Sequence, residues 1–281
     1  MPLTKKKIGA SRFAPSPLVA PDESFFGDEG FTRRIETMSS SSDAVWLAAL
    51  LIGLGFTLVA AYGTPGSASG KFWAYAGLLI RGSLYLWAGD ALRTRGGSVL
   101  RGLFIVGLVA GVFELLVDWA LINWVPNGKL VYLTGNDVVL LGSPVWMPLA
   151  WACVIVELGY PAVRLFGLWR FKVGDGPAAI ASSSLIAVSA AFTVGFYEYF
   201  AYRAGWWRYE PASAMIGQFC AAYIPLGELL MFLAIMPVAA HALGGEEHRT
   251  ARAVEAGALF ACAIGAGYAL AYLMLEAGRS P

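Results

Sequence analysis

Histidine, cysteine and charge are all scarce in this sequence, and each shortage removes a class of chemistry. Two histidines, His241 and His248, are too few for the His-rich di-iron centre of membrane desaturases, and their spacing makes no helical metal pair. The three cysteines, Cys153, Cys220 and Cys262, lie far apart in apolar runs, so neither a disulfide framework nor a CxxC site can be read. No lysine falls between 251 and 275, which leaves a retinal Schiff base without an attachment point. There is no Walker A run, no GxGxxG opening a helix after a strand and no GxSxG nucleophile. Charged residues make up 14% of the chain, well below the roughly 25% of a soluble domain.

What the chain has instead is apolar length. Hydrophobic residues reach 58% and mean hydropathy is +0.62, the composition of an integral membrane protein. A net charge of +1 excludes a basic nucleic-acid binder. Residues 1 to 41 are polar and read as a flexible cytoplasmic tail, followed by a transmembrane domain from 42 to 281. The SSSSD run ending at Asp43 offers N-cap chemistry for the first long segment. A bilayer core about 30 Å thick needs about 20 mostly apolar residues per helix. Seven such spans are expected, at 43–63, 72–93, 98–120, 143–167, 178–203, 212–241 and 251–275, separated by turn-forming groups such as GTPGSASG and VPNGK.

The distribution of lysine and arginine orients these spans. With the N-terminus in the cytoplasm of a cell (inner) membrane, 14 of the 20 fall on the cytoplasmic side and 5 outside, with Arg81 inside the second span. Trp124, Trp146, Trp206 and Trp207 then fall at outer helix ends, where an interfacial belt is expected. Aligning FELLVDWALINW (113–124) with YEYFAYRAGWWR (197–208) sets Glu114 against Glu198, and MPLAW (147–151) then matches IPLGE (224–228). This order of acid, aromatic loop and Pro-Leu helix start reads as a parallel repeat of two helices, spans 3–4 and 5–6.

A charge at a helix centre costs roughly 2.5–3.5 kcal/mol on insertion scales, so the acids within spans need a reason. Glu228 and Glu157 lie near mid-membrane, while Glu198, Glu114 and Asp118 lie in the outer half. Glu114 and Asp118 share one helical face at i,i+4, and two carboxylates so close in a low dielectric do not readily ionise together. A carboxylic acid that keeps its proton is a general acid. The plainer readings are solvation at the outer surface, pairing with Arg203 or Lys129, and for Glu228 a structural hydrogen bond to a neighbouring helix. Pro225 and Gly227 are expected to loosen the helix beside Glu228 and open a cavity. Tyr197, Tyr199 and Tyr202 flank Glu198 as cavity lining or as an interfacial anchor. Arg81 is expected to pair with one of these acids.

The run GWWRYEPASAMIGQFCAAYIPLGELLMF, 205–232, resembles a segment of integral-membrane carotenoid enzymes, the heterodimeric or fungal-type lycopene cyclases and related carotenoid hydratases. There a G-x-W precedes a helix that opens with proline followed by acids. The repeat and buried acids also look like the small seven-helix terpene cyclases. The resemblance covers spans 3 to 6 and implies protonation of an isoprenoid alkene or epoxide by a carboxylic acid, with no redox cofactor and no metal. Where the lycopene cyclases carry Glu-Glu, this chain has Gly227 and Glu228, so only Glu228 carries over and the substrate stays unnamed. On this reading Glu228 donates the proton and Glu198, Glu114 and Asp118 tune it or take the final proton. Tyr197, Tyr202, Trp206, Trp207, Tyr223 and Trp151 bind a lipophilic isoprenoid arriving from the membrane lipids. Two alternatives stand beside it: Mg²⁺-dependent prenyl transfer with Glu114 and Asp118 as ligands, and a small proton-coupled carrier.

Overall fold

The computed structural model describes residues 26–63, 67–133, 135, 137–245 and 249–277. The chain is an all-α polytopic protein. Among the described residues, five helices are long and apolar enough to cross a membrane, or six with one bent pair counted as a single span. Their outward faces carry large apolar side chains such as Leu51, Phe171 and Phe192, 57%, 78% and 69% exposed, which suits lipid and not water.

Helices α2 (Ser40–Leu58) and α3 (Ser67–Ala91) lead into α4 (Gly97–Asn123), α5 (Met147–Val173) and α6 (Asp175–Ala204). The Ser42 hydroxyl accepts from the Ser39 amide at 3.1 Å, which satisfies a donor left open at the start of α2. A single π-helical turn, Val59–Gly63, closes that span. Helix α3 fills the second expected span but is the one long helix outside the apolar set, because it carries Lys71, Arg81 and several polar residues. The tight reversal into α4 depends on Gly96, whose φ of 84° is left-handed. Gly107 and Gly111 face α5 so closely that an added Cβ would lie 2.6 Å from Cα of Ala152 and 2.7 Å from Cα of Pro148. This small-xxx-small spacing lets the two helices meet along their backbones.

Two expectations are corrected here. The segment 1–41 is not a tail throughout: α1 (Glu29–Thr37) is a formed helix whose Phe31 and Ile35 are buried, Phe31 against Phe166 of α5 with ring centroids 5.5 Å apart. The rest of that expectation, residues 1–25, lies outside the described residues. The span 212–241 is also not one helix. It begins as a β-hairpin and becomes α7 (Tyr223–Phe232) and α8 (Ile235–Leu243), bent by 44°. The bend falls four residues ahead of Pro237 because that proline has no N–H for the Leu233 carbonyl and its ring crowds it. Pro225, in the first turn of α7, is tolerated without a break. Helix α9 (Arg249–Leu275) completes the bundle against α4 and α7.

Among the described residues six short strands cap one end. Strand β1 (Leu130–Tyr132) follows α4 and β4 (Trp207–Tyr209) follows α6, and the two pair antiparallel with Leu130 opposite Tyr209 and Tyr132 opposite Trp207. After β1 comes the hairpin β2 (Val139–Leu140) and β3 (Ser143–Pro144), then α5. After β4 comes the hairpin β5 (Met215–Ile216) and β6 (Cys220–Ala221), then α7. The same order of helix, strand, hairpin and helix thus occurs twice, although β4 corresponds to β1 and not, as the alignment of Glu114 with Glu198 has it, to the end of α4.

Candidate active site

The pairing of β1 with β4 closes the ends of α4 and α6 over a cavity, and the acids of both helices face it. Glu114 and Asp118 come from α4, Glu198 from α6 and Glu228 from α7, each at most 5% exposed. Tyr132, Trp207 and Tyr209 form the roof from the cap strands, Trp151 and Tyr197 the walls, and Tyr268 enters from α9. The cavity measures about 80 Å³, and among the described residues no Lys, Arg or His lines it.

The hydrogen bonds divide the four carboxylates into two kinds. Asp118 Oδ2 accepts from the Tyr132 hydroxyl at 2.5 Å and from Ser143 Oγ at 2.8 Å, and Glu198 Oε2 accepts from Trp207 Nε1 at 2.6 Å. These two are held as acceptors by the cap. Glu228 Oε1 accepts from the Tyr268 hydroxyl at 2.5 Å, but its Oε2, like Oε2 of Glu114, is buried with no hydrogen-bond partner among the described residues. Buried polar atoms are nearly always hydrogen-bonded, so two unpartnered carboxylate oxygens facing one cavity mark where a water or a ligand group would be received. Tyr132 and Tyr209 lie in the cap strands, where burial first, and then the carboxylates of Asp118 and Glu198 respectively, push their phenols well up, so both remain donors.

The expected lining residues separate. Tyr197, Trp207 and Trp151 face the cavity, whereas Trp206, Tyr223 and Tyr202 do not. Trp206 packs edge-on to Trp146 behind Trp207 and donates its Nε1 proton to the Gly70 carbonyl at 2.9 Å. Tyr223 is buried and spans from α7 to the loop after α4, donating to the Gly128 carbonyl at 2.8 Å. Tyr202 sits in the last turn of α6, beyond the level of Glu198, and is 39% exposed. The interfacial tryptophan belt is corrected in the same way. Trp124 is 70% exposed, but Trp146, Trp206 and Trp207 are buried as one stack because the cap covers that helix end. Gly227 does not loosen α7 either: an added Cβ would lie 2.3 Å from Cδ1 of Tyr268, so its absent side chain is what admits that tyrosine to Glu228.

Glu157 stands apart from the acid cavity and forms a partly buried ion pair with Arg81. Tyr197 touches both regions, since it lines the acid cavity and also the small void beside Arg81. Three site residues were missed in the sequence: Tyr132, Tyr209 and Tyr268. Tyr268 had a legible signal, one it shares with Tyr272: a hydroxyl within an apolar stretch. Among the described residues no group of three His, Cys, Asp or Glu side chains is placed to hold a metal ion.

Residues 115–275 match a family model described as a domain of unknown function (DUF6989). The match runs from the middle of α4 to the end of α9 and includes Asp118, Glu198, Glu228 and Tyr268. No curated protein and no solved structure matches the chain.

Proposed function

The chain belongs to the DUF6989 family, and we propose that it is a membrane-embedded enzyme that moves protons on an unsaturated isoprenoid without a redox cofactor. The observation that carries this reading is the convergence of four buried carboxylates on one aromatic cavity lined by no basic residue among those described. Glu228 is the proton donor: Tyr268 fixes one oxygen and the other has no partner among the described residues. Its proton adds to one carbon of an alkene and leaves the neighbouring carbon cationic. Trp151, Trp207 and Tyr197 supply ring faces that stabilise that cation. A second alkene of the same molecule attacks it to close a ring, and loss of an adjacent proton to Glu114 or Glu198 gives an isomer of the substrate. Capture by water instead gives a hydrate.

The cavity is smaller than the roughly 300–1,000 Å³ of a ligand pocket, so about 80 Å³ suits the reacting end group while the chain of the isoprenoid lies elsewhere. The enzyme lies in the cell membrane with its N-terminus cytoplasmic, which puts the capped cavity toward the outer leaflet, and the substrate enters from lipid. Its test is mass spectrometry of lipid extracts from isoprenoid-producing cells carrying the wild-type chain or Glu228→Gln. A product of unchanged mass, or of one added water, seen only with wild type supports the reading. Equal extracts across a wide isoprenoid panel, with both proteins folded, would sink it.

The small volume favours one other reading, a proton-coupled carrier whose acids form a relay. Solute uptake into proteoliposomes that collapses when the proton gradient is dissipated, with lipid composition unchanged, distinguishes it.

A further inference from the structure

Two carboxyl oxygens of the acid cavity stand without a partner among the described residues: Oε2 of Glu114 on α4 and Oε2 of Glu228 on α7. Both residues line the cavity and are more than nine-tenths buried, at 2% and 4% exposure. Atoms so placed are satisfied by whatever enters the cavity. The other two acids differ, because the strand cap already engages them. Asp118 accepts from Tyr132 and Ser143, and Glu198 accepts from Trp207. The open pair therefore belongs to the helices, not to the cap.

The volume of the cavity limits what can enter. Benzene, six carbons in a ring, occupies an apolar cavity of about 150 Å³, and a water molecule takes about 30 Å³. At about 80 Å³ the acid cavity holds the branched tip of an isoprenoid and one water. It holds neither a six-membered ring nor the second alkene that must fold against the first to close one. Its walls include the large rings of Trp207 and Tyr268, each tied by a hydrogen bond to an acid of the cavity, so turning either ring away to widen the space costs that bond.

Resting on the acid chemistry proposed above, we infer that the second reactant at this site is water, held between Glu114 and Glu228, and that the reaction is hydration of an alkene at the end of the isoprenoid. Glu228 gives its proton to one alkene carbon and leaves the neighbouring, more substituted carbon cationic. The water oxygen forms its bond to that carbon. Glu114 Oε2 accepts one O–H of the water and so aims its lone pair at the cation. The other water proton passes to the carboxylate that Glu228 has become, which restores the acid. Alkene and water are consumed and a tertiary alcohol leaves, with no oxidant or reductant required. Asp118 and Glu198 hold the roof through Tyr132 and Trp207 and take no part in this transfer.

The experiment gives the full chain in detergent squalene and shorter acyclic isoprenoid hydrocarbons that carry a free isopropylidene end, in ordinary water and in H₂¹⁸O. The expected product is heavier than its substrate by one water, carries ¹⁸O only from the labelled solvent, and is made by wild type but not by Glu228→Gln. Glu114→Leu keeps the proton donor and removes the anchor of the water. In that variant the ratio of hydrate to an alkene isomer of unchanged mass, formed when the cation sheds a proton, is expected to fall roughly tenfold or more. Circular dichroism and size-exclusion elution confirm that both variants are folded. An equal fall of hydrate and isomer in Glu114→Leu overturns the placing of the water. A wild-type product that is cyclised or isomerised without added oxygen overturns hydration and leaves the acid chemistry standing. If folded wild type converts none of these hydrocarbons, both the inference and the reading beneath it fall.

Discussion

Tyr268 on α9 donates a 2.5 Å hydrogen bond to Oε1 of Glu228 on α7 and leaves Oε2 of that acid without a partner among the described residues. The phenol fixes the carboxyl group; under the proposed function the other oxygen meets the substrate. Glu228→Gln keeps the shape and removes the acidic proton, and product formation is expected to fall by about 10²–10⁴-fold, the usual weight of a general acid. Tyr268→Phe leaves the acid in place but unfixed and is expected to cost roughly tenfold. Turnover of both variants on an accepted isoprenoid checks this, and a fully active Glu228→Gln protein would remove the acid from the mechanism.

The same contact makes Gly227 a test of packing. A methyl group there meets the Tyr268 ring at 2.3 Å, so Gly227→Ala is expected to destabilise the protein by about 1–3 kcal/mol and to displace the tyrosine from Glu228. Gly195 on α6 has no atom within 4 Å of an added Cβ, and Gly195→Ala is expected to be neutral or slightly stabilising through helix propensity. Thermal melting in detergent reads the contrast. Equal melting temperatures for the two variants would contradict the close α7–α9 approach.

The helices and the acids were legible in the sequence because each depends on local facts: an apolar run of sufficient length and a carboxylate inside it. Glu114, Asp118, Glu198 and Glu228 were found this way, and the repeat aligned the segments that carry them. The cap was not legible, since β1 and β4 are three residues each and are fixed by a partner more than 70 residues away. Trp206 and Trp207 misled for a related reason: a tryptophan at a helix end has the same local sequence whether it meets headgroups or a strand cap. Gly227 was ambiguous too, because a missing side chain can open space or admit a neighbour, and only the position of Tyr268 decides between them.

Arg81 and Glu157 test a different balance. The guanidinium fits because Gly53 of α2 has no side chain; an added Cβ would lie 2.5 Å from its Nη1. Side-chain exposures of 11% and 16% leave the pair largely dry. Removing one partner strands the other charge, so Arg81→Leu or Glu157→Leu alone is expected to destabilise by about 3–5 kcal/mol. The double variant R81L/E157L is expected to recover most of that loss, because neither charge then needs a partner. A double-mutant cycle on melting temperature measures the coupling, and additive losses would show that the ion pair carries none.

Asp28 links α1 to the rest of the bundle, outside the spans. Its Oδ1 accepts from the Phe31 amide at 3.1 Å and from the Gly245 amide at 2.9 Å, and Arg252 lies 3.5 Å from Oδ2. Burial alone would raise this carboxyl, but the amide bonds from Gly245 and Phe31 together with Arg252 outweigh it and hold the group below its ordinary 3.8. A group whose pKa falls on folding stabilises the folded state above its unfolded value, and that contribution disappears as pH drops through the lower folded one. Seating of α1 is therefore expected to be full at neutral pH and to weaken below about pH 4. Asp28→Asn is expected to cost about 0.5–2 kcal/mol at neutral pH, the range of a lost helix cap, and to flatten the acid dependence. Cysteine-labelling rates at Ile35→Cys, on the buried face of α1, read the seating directly from pH 7 to pH 3 against a denatured reference. If wild type and Asp28→Asn gave parallel profiles, the anchoring charge would lie elsewhere.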